Sequence, residues 1–187
     1  MELDEQHPLC NGHKTRLCKY DCNYCFGRSF ASHEKVKLWS DQNIGIIPRQ
    51  MMLGSDLPIK FLCDVCDHIF ITPMKQIGLN KSGCAYCGNQ KLCESENCMI
   101  CYKKSFKYAI DNNLLSKNIV WGTNDINPRR LFIKSTKKYL FTCIICNHTY
   151  LCSLAHSHNR SCPFCSKPPK QLCNDETCQL CLNKSFK

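Results

Sequence analysis

The sequence predicts a small α+β protein whose modules are stabilised by bound metal rather than by one large apolar core. Three observations carry this: 19 cysteines among 187 residues, a motif that repeats along the chain, and little apolar content. At about one residue in ten, cysteine reaches the level at which a short chain reads as cross-linked or metal-bound. The 43% hydrophobic content includes those cysteines, and about 33% remains without them, thin for a single interior. No stretch approaches the roughly 18 apolar residues that span a bilayer, so no membrane association is expected. Met1-Glu2-Leu3-Asp4-Glu5 is acidic and unlike a secretory signal. The thiols are therefore expected in an intracellular, reducing compartment, where closely spaced cysteines read as metal ligands rather than disulfides.

The repeat sets the frame for every element. Three triads share one pattern: Leu17-Cys18 to Cys22 and Cys25, Leu92-Cys93 to Cys98 and Cys101, and Leu172-Cys173 to Cys178 and Cys181. Each leads into Ser-Phe, at Ser29-Phe30, Ser105-Phe106 and Ser185-Phe186. A second unit lies between triads and occurs twice. It runs Trp39, Asn43, Pro48-Arg49, Ser55, Phe61, Cys63, Cys66, His68, Cys84 and Cys87. Its other copy runs Trp121, Asn124, Pro128-Arg129, Ser135, Phe141, Cys143, Cys146, His148, Cys162 and Cys165. Most positions are offset by 80 residues, and the last cysteine pair by 78. At the amino terminus Cys10 stands eight residues before Cys18, as Cys165 stands before Cys173. The expected division is a half-module at 1–31, a first module at 32–107 and a second at 108–187, resembling a piece of a longer array.

Within this frame the local pattern gives short elements. Leu131 to Lys134, a turn at Ser135 to Lys138, and Tyr139 to Thr142 read as a β-hairpin leading into Cys143. Met51 to Leu53 and Ile59 to Leu62 form its counterpart. Ile69 to Ile71 reads as a return strand, and Thr72-Pro73 as a cap for one or two helical turns. Short helices are expected at Ser32 to Trp39 and Lys103 to Leu115, with linkers at Ser32–Lys37 and Asp111–Lys117. Trp39 and Trp121 recur at one repeat position and are expected to pack inside.

The cysteine arithmetic points to zinc. Two Cys-x2-Cys knuckles about 15 to 20 residues apart supply the four tetrahedral ligands zinc favours. Cys66 to Cys84 encloses 17 residues and Cys146 to Cys162 encloses 15. Each full module holds seven cysteines and one histidine, eight ligands for two ions. In one partition Cys63, Cys66, Cys84 and Cys87 form a first site, and Cys93, Cys98, Cys101 and His68 a second. In the other, His68 joins the first site and Cys87 is released to the triad. Cys10, Cys18, Cys22 and Cys25 favour the second partition, since no equivalent of His68 precedes them. The second module offers the same choice with Cys143, Cys146, His148, Cys162, Cys165, Cys173, Cys178 and Cys181. About five structural Zn²⁺ would use 18 cysteines and two histidines, leaving Cys152 over.

Catalysis is not expected. Cys162-Pro163-Phe164-Cys165 has the look of a redox pair, but its counterpart Cys84-Ala85-Tyr86-Cys87 lacks the proline and both have a partner knuckle upstream. There is no zinc-deaminase signature, no His-Glu-x-x-His and no phosphate-binding glycine loop. Every proposed metal site is saturated by protein ligands, and no small-molecule substrate is implied.

The combined run of Cys-Pro-Phe-Cys, Leu-Cys triad, Ser29 to His33, tryptophan, Pro-Arg, serine and Phe-x-Cys-x2-Cys-x-His resembles a known group. It is similar to the zinc-ribbon or treble-clef repeat family of unknown function found in large nucleocytoplasmic DNA viruses and some bacteria. The resemblance implies tandem zinc-ribbon or treble-clef-like modules with short β-hairpins and little helix. It also implies a nucleic-acid partner. The second copy lacks Ala-Ser-His after Ser105-Phe106, so His33 is not expected as a general ligand. A lysine bias, 19 Lys to 6 Arg, and many asparagines fit an AT-rich, viral source.

The formal charge of +10 suggests a polyanion partner. Coordinating thiols are deprotonated, however, and 18 thiolates against five divalent ions leave about +2. By segment the balance is about −2, 0 and +4, so only the last module stays basic. Its best patch is Arg129, Arg130, Lys134, Lys137 and Lys138, interleaved with Phe132 and Tyr139, and Arg160, Lys167 and Lys170 extend it. The expected function is low-specificity nucleic-acid binding without catalysis. The alternative is a structural or protein-interaction scaffold, as in a virion component within the host cytoplasm or nucleus.

Overall fold

The computed structural model describes residues 7–12, 14–80 and 83–185, and the chain divides into two units, Met1–Lys91 and Leu92–Lys187. Met1 to Glu5 and the third Ser-Phe phenylalanine, Phe186, lie outside the described residues. The division falls before the second triad rather than at either expected linker. The sequence period 32–107 groups that triad with the hairpin before it, whereas packing groups it with the hairpin after it.

Each triad nucleates a short helix. In the first unit α1 spans Asn23–Gly27 and follows Cys22 directly; in the second, α3 (Met99–Lys104) follows Cys98 and α5 (Gln179–Leu182) follows Cys178. The last triad cysteine sits three residues after the middle one, one helical turn on, so both sulfurs face the same way. Helices this short are marginal alone and need tertiary anchoring. The recurring serine ends each turn: the hydroxyls of Ser29, Ser105 and Ser185 donate to the carbonyls of Phe26, Tyr102 and Leu182, all at 2.7 Å. The two described phenylalanines that follow, Phe30 and Phe106, are fully buried. Each meets the strand phenylalanine of its unit edge-on, at 5.6 Å for Phe61 and 5.9 Å for Phe141.

In the first unit β1 (Pro58–Leu62) pairs antiparallel with β2 (Ile69–Pro73), which runs into α2 (Met74–Gly78). In the second, α4 (Phe106–Asp111) precedes a three-stranded sheet, β3 (Ile119–Trp121), β4 (Lys138–Cys143) and β5 (Thr149–Ser153), in the order β3-β4-β5. The turn of each hairpin is the zinc knuckle itself. The Cys143 amide donates to His148 O at 3.0 Å and the Asn147 amide to Cys143 O at 2.8 Å; Cys63, Asp67 and His68 repeat this at 3.0 Å for both bonds. Asp67 and Asn147 adopt φ of 54° and 56°, a left-handed conformation that these two residue types tolerate.

This corrects the expected hairpin. Leu131 to Lys134 does not pair with Tyr139 to Thr142, because both edges of β4 are taken by β3 and β5. Instead Phe132 bridges Ser105, with the Phe106 amide donating to Leu131 O at 2.7 Å and the Ile133 amide to Lys104 O at 3.0 Å. Met52 bridges Ser29 in the same way, with Phe30 N to Met51 O at 2.8 Å and Leu53 N to Arg28 O at 3.2 Å. The helix expected over Lys103 to Leu115 breaks at Ser105, whose backbone is extended to make this bridge. Ser32 to Trp39 is a pair of 3-10 turns, Phe30–Ser32 and Glu34–Leu38, rather than a helix or a free linker.

The repeated Asn is a strand clamp that spacing did not reveal. Asn43 donates to Lys60 O at 2.7 Å and accepts from Lys60 N at 3.0 Å; Asn124 does both with Leu140 at 3.0 Å. Trp39 and Trp121, both half-buried, pack against the cores, edge-on to Phe61 at 6.3 Å and Phe141 at 5.5 Å. Each unit thus has a small core with cysteines among its members, Phe30, Phe61, Phe70 and Met74 in one and Phe106, Phe141, Tyr150 and Leu154 in the other.

Candidate metal centres

Four ligand groups assemble inside the two units. Cys10, Cys18, Cys22 and Cys25 form one, and Cys63, Cys66, Cys84 and Cys87 another, both in the first unit. In the second unit, Cys143, Cys146, Cys162 and Cys165 form a third group, and His148, Cys173, Cys178 and Cys181 a fourth. Within each, the ligand atoms lie within 4.8 Å of one another. The elements explain why. A hairpin presents its knuckle cysteines at the turn, a following loop brings up the second pair, and each triad helix carries its last two cysteines on one face.

The distances fit tetrahedral zinc. A Zn–S bond of about 2.3 Å separates sulfurs by about 3.8 Å, and replacing one sulfur by nitrogen shortens that edge to about 3.6 Å. The Sγ pairs Cys10–Cys25, Cys63–Cys87, Cys66–Cys84 and Cys146–Cys162 are 3.6 Å apart, and Cys143–Cys165 is 3.7 Å. His148 Nε2 lies 3.5 Å from both Cys178 Sγ and Cys181 Sγ. The chain's ligand chemistry is therefore that of a structural metal-binding protein.

The open partition resolves in the second unit. His148 serves the triad, and Cys165 stays with the knuckle. Of the two partitions left open, the one with the histidine in the knuckle site is not assembled in this unit. Cys10 had suggested it, yet Cys10 completes its triad where no knuckle precedes it among the described residues, while Cys165 has one to complete. Counted on the sequence alone, Cys93, Cys98 and Cys101 with one repeat-matched histidine would supply a fifth set of ligands, for an expected total of about five zinc ions. The role of the aromatic inside the later knuckle was missed by spacing alone. Phe164 stacks on His148 with centroids 4.3 Å apart and 17° between planes, and Tyr86 stacks on His68 at 4.3 Å and 18°. His148 Nδ1 is buried without a hydrogen-bond partner, so ring stacking rather than a bond at Nδ1 sets its orientation.

Backbone amides favour ionised sulfur. The amides of Cys18, Cys93 and Cys173 each donate to the last sulfur of their own triad at 3.3 Å. The His7 amide, 3.4 Å from the Cys22 sulfur, helps bring that thiol down to about 7 from its ordinary 9.0. The Cys181 amide lowers Cys178, whereas burial pushes Cys162 up to about 11. A divalent cation supplies the counter-charge that lets every thiol of a group ionise. Bound thiols then titrate below their ordinary value, so the metal-linked stability holds above that value and is lost as pH falls. Zinc release and loss of structure are expected together on acidification from pH ~8 to ~5, followed with a chromogenic zinc indicator and circular dichroism. Structure that outlasts complete zinc release would contradict this.

Of the basic residues singled out, Arg129 is misassigned as a phosphate contact. It is 3% exposed, and its Nη2 donates to Ser95 O at 2.8 Å and Cys98 O at 3.3 Å and lies 4.0 Å from Cys93 Sγ. It is a positive counterweight inside a triad loop. Arg130 is exposed but pairs with Glu94 at 3.2 Å. Lys134, Lys137 and Lys138 are exposed, as are Arg160, Lys167 and Lys170. The last three line a cleft of about 930 Å³ beside the final knuckle, with Tyr150, Leu151 and Pro163. Cys152, opposite Tyr139 in β5, belongs to none of these groups, and burial pushes its thiol up.

No helix among the described residues is long and apolar enough to cross a membrane. No protein-family model matches the chain. Over its whole length the chain is 34% identical, across 195 aligned positions, to the uncharacterized protein R635 of Acanthamoeba polyphaga mimivirus, and it spans 44% of that protein's length. This similarity to a viral protein agrees with the lysine-rich, asparagine-rich composition.

Proposed function

We propose that the protein is a non-enzymatic zinc repeat that binds nucleic acid with low sequence specificity through the second unit. The observation that carries the reading is the exposed basic cleft of Arg160, Lys167 and Lys170. Lys138, exposed on β4 opposite Ser153, adds a further positive charge to the same unit. Such a surface neutralises phosphates, while Tyr150, Leu151 and Pro163 supply apolar contact. The longest α-helices among the described residues have six residues, too short to fill a major groove with base-reading side chains. The saturated metal groups leave no coordination position open for substrate.

The test is fluorescence anisotropy with duplex and single-stranded DNA and RNA of about 20 nucleotides across a salt series. Affinity should fall steeply with salt, and K138Q/R160Q/K167Q/K170Q should weaken binding about tenfold or more while lowering the salt slope by about 3. An unchanged zinc count shows that the variant is folded. Salt-insensitive binding, or a quadruple variant that binds like the parent, would overturn the proposal.

A second reading draws on the knuckle tips. Val65, Ile144 and Ile145 are 76%, 59% and 62% exposed, an unusual place for β-branched residues unless a protein covers them. A scaffold role would then show as a protein partner retained after nuclease treatment and lost in V65S/I144S/I145S.

A further inference from the structure

The outer edge of β5 is set by the bonds on the far side of β4. Leu140 commits both backbone groups toward β3: its carbonyl accepts from the Gly122 amide at 3.0 Å, and its amide donates to Asn124 Oδ1 at 3.0 Å. Leu151, opposite Leu140 in the register, therefore turns its own N–H and C=O away from β4 and out of the sheet edge. The Cys143 amide bonded to His148 O sets the same alternation, which directs the backbone of Tyr150 and Cys152 inward and that of Leu151 outward. β5 ends the order β3-β4-β5, and among the described residues nothing pairs with the Leu151 amide or carbonyl.

The basic cleft runs along this edge. It touches Tyr150, Leu151 and Cys152 in succession. Successive side chains of a strand face opposite ways, and here Tyr150 and Cys152 are buried in the core while Leu151 is 62% exposed. A cavity that meets all three lies beside the strand rather than over one face. The other wall is the final knuckle and the loop after it, with Pro163 and Pro169 half-buried and Arg160, Lys167 and Lys170 exposed. A donor and an acceptor thus stand side by side between apolar walls and positive charge.

That combination matches an unpaired nucleotide. Each base carries an acceptor next to a donor on its Watson–Crick edge: adenine N1 and N6, guanine O6 and N1, cytosine N3 and N4, uracil or thymine O4 and N3. A duplex occupies those atoms with the opposite base, and a single strand leaves them open. One backbone N–H and C=O can serve any of the bases, so the contact demands a single strand without demanding a sequence. An added peptide strand would need a row of outward pairs, and only that of Leu151 lies in the cleft.

We infer that the cleft is a single-strand site, in which the Leu151 N–H and C=O bond the Watson–Crick edge of one base while Arg160, Lys167 and Lys170 hold the neighbouring phosphates. The inference rests on the nucleic-acid reading of the cleft. It is tested with the zinc-loaded full chain and three probes of about 20 nucleotides at equal salt: a DNA single strand, its duplex, and a strand of abasic tetrahydrofuran units. Charge alone would favour the duplex, whose phosphates are denser. The single strand should nevertheless bind about tenfold or more tighter than either other probe. Leu151→Pro removes an edge N–H that the ladder does not use and should abolish the preference, whereas Leu151→Ala keeps the N–H and should retain it. An unchanged zinc count shows that both variants are folded. Duplex or abasic strand bound as tightly as the intact strand, or the two variants behaving alike, would overturn the inference. An oligoglutamate peptide bound in preference to the strand, and lost in Leu151→Pro, would give the edge to protein instead. Steep salt dependence shared equally by all three probes leaves the basic surface standing and removes only the base contact, whereas no binding of any probe removes both.

Discussion

Replacing Cys143 with serine is expected to unfold the second unit, while replacing Cys152 with alanine leaves it folded. Both cysteines are buried within the same sheet, at 0% and 4% exposure, and both touch the same small core. They differ in what the sulfur serves. Cys143 ends β4, starts the knuckle turn and supplies a thiolate to the group with Cys146, Cys162 and Cys165. A structural zinc contributes about 10–16 kcal/mol, comparable with the roughly 5–15 kcal/mol that is the whole stability of a small domain. A hydroxyl in place of one thiolate loses most of that, and the surrounding core has too few apolar residues to compensate. Cys152 belongs to no group, so Cys152→Ala should cost only about 1 kcal/mol and leave the zinc count unchanged. Amide dispersion in NMR spectra, read beside zinc per chain, separates the two outcomes. Equal tolerance of both substitutions would mean that the knuckle does not hold the sheet.

Arg129→Ala is expected to destabilise the zinc-loaded protein by about 3 kcal/mol, at the low end of the cost of stripping a buried charge of its partner. The low end applies because Nε and Nη1 have no partner, so Nη2 makes the hydrogen bonds. Removing the guanidinium takes its donor from two loop carbonyls, those of Ser95 and Cys98, and a positive charge from beside the Cys93 sulfur. Arg129→Lys should recover only part of the loss, since one ammonium cannot reproduce the planar fork. Arg130→Ala, at an exposed pair with Glu94, should change little. Urea midpoints at fixed free zinc measure all three. Equal effects of Arg129→Ala and Arg130→Ala would restore Arg129 to the surface role its basic neighbourhood suggests.

Why Arg129 misled is instructive, because the signal that corrects it was in the repeat. A nucleic-acid contact has no reason to keep an 80-residue register with metal ligands, and Pro48-Arg49 and Pro128-Arg129 keep it. The metal groups were legible because cysteine spacing constrains which sulfurs can meet. Their partition was not, since Cys87 and His68 are interchangeable by count, and in the second unit it is the 3.5 Å approach of His148 Nε2 to the Cys178 and Cys181 sulfurs that decides it. The hairpin misread has a similar root. Leu131 to Lys134 and Thr149 to Ser153 flank β4 with comparable β-forming patterns, and the polar run Ser135 to Lys138 looks like the better turn. The actual turn is the knuckle, made possible by the left-handed Asn147 and the Cys143–His148 backbone bond. The helices were hidden for another reason. Runs of four to six residues starting at a metal ligand have too few apolar repeats to register as periodic.

Counting zinc ions on the intact, reduced chain by native mass spectrometry is the most direct test of a fold built around metal. Five ions per chain, lost together with amide dispersion on adding a strong chelator, is the expected result. A chain that carries none, or that keeps its dispersed spectrum after every ion is removed, would contradict it.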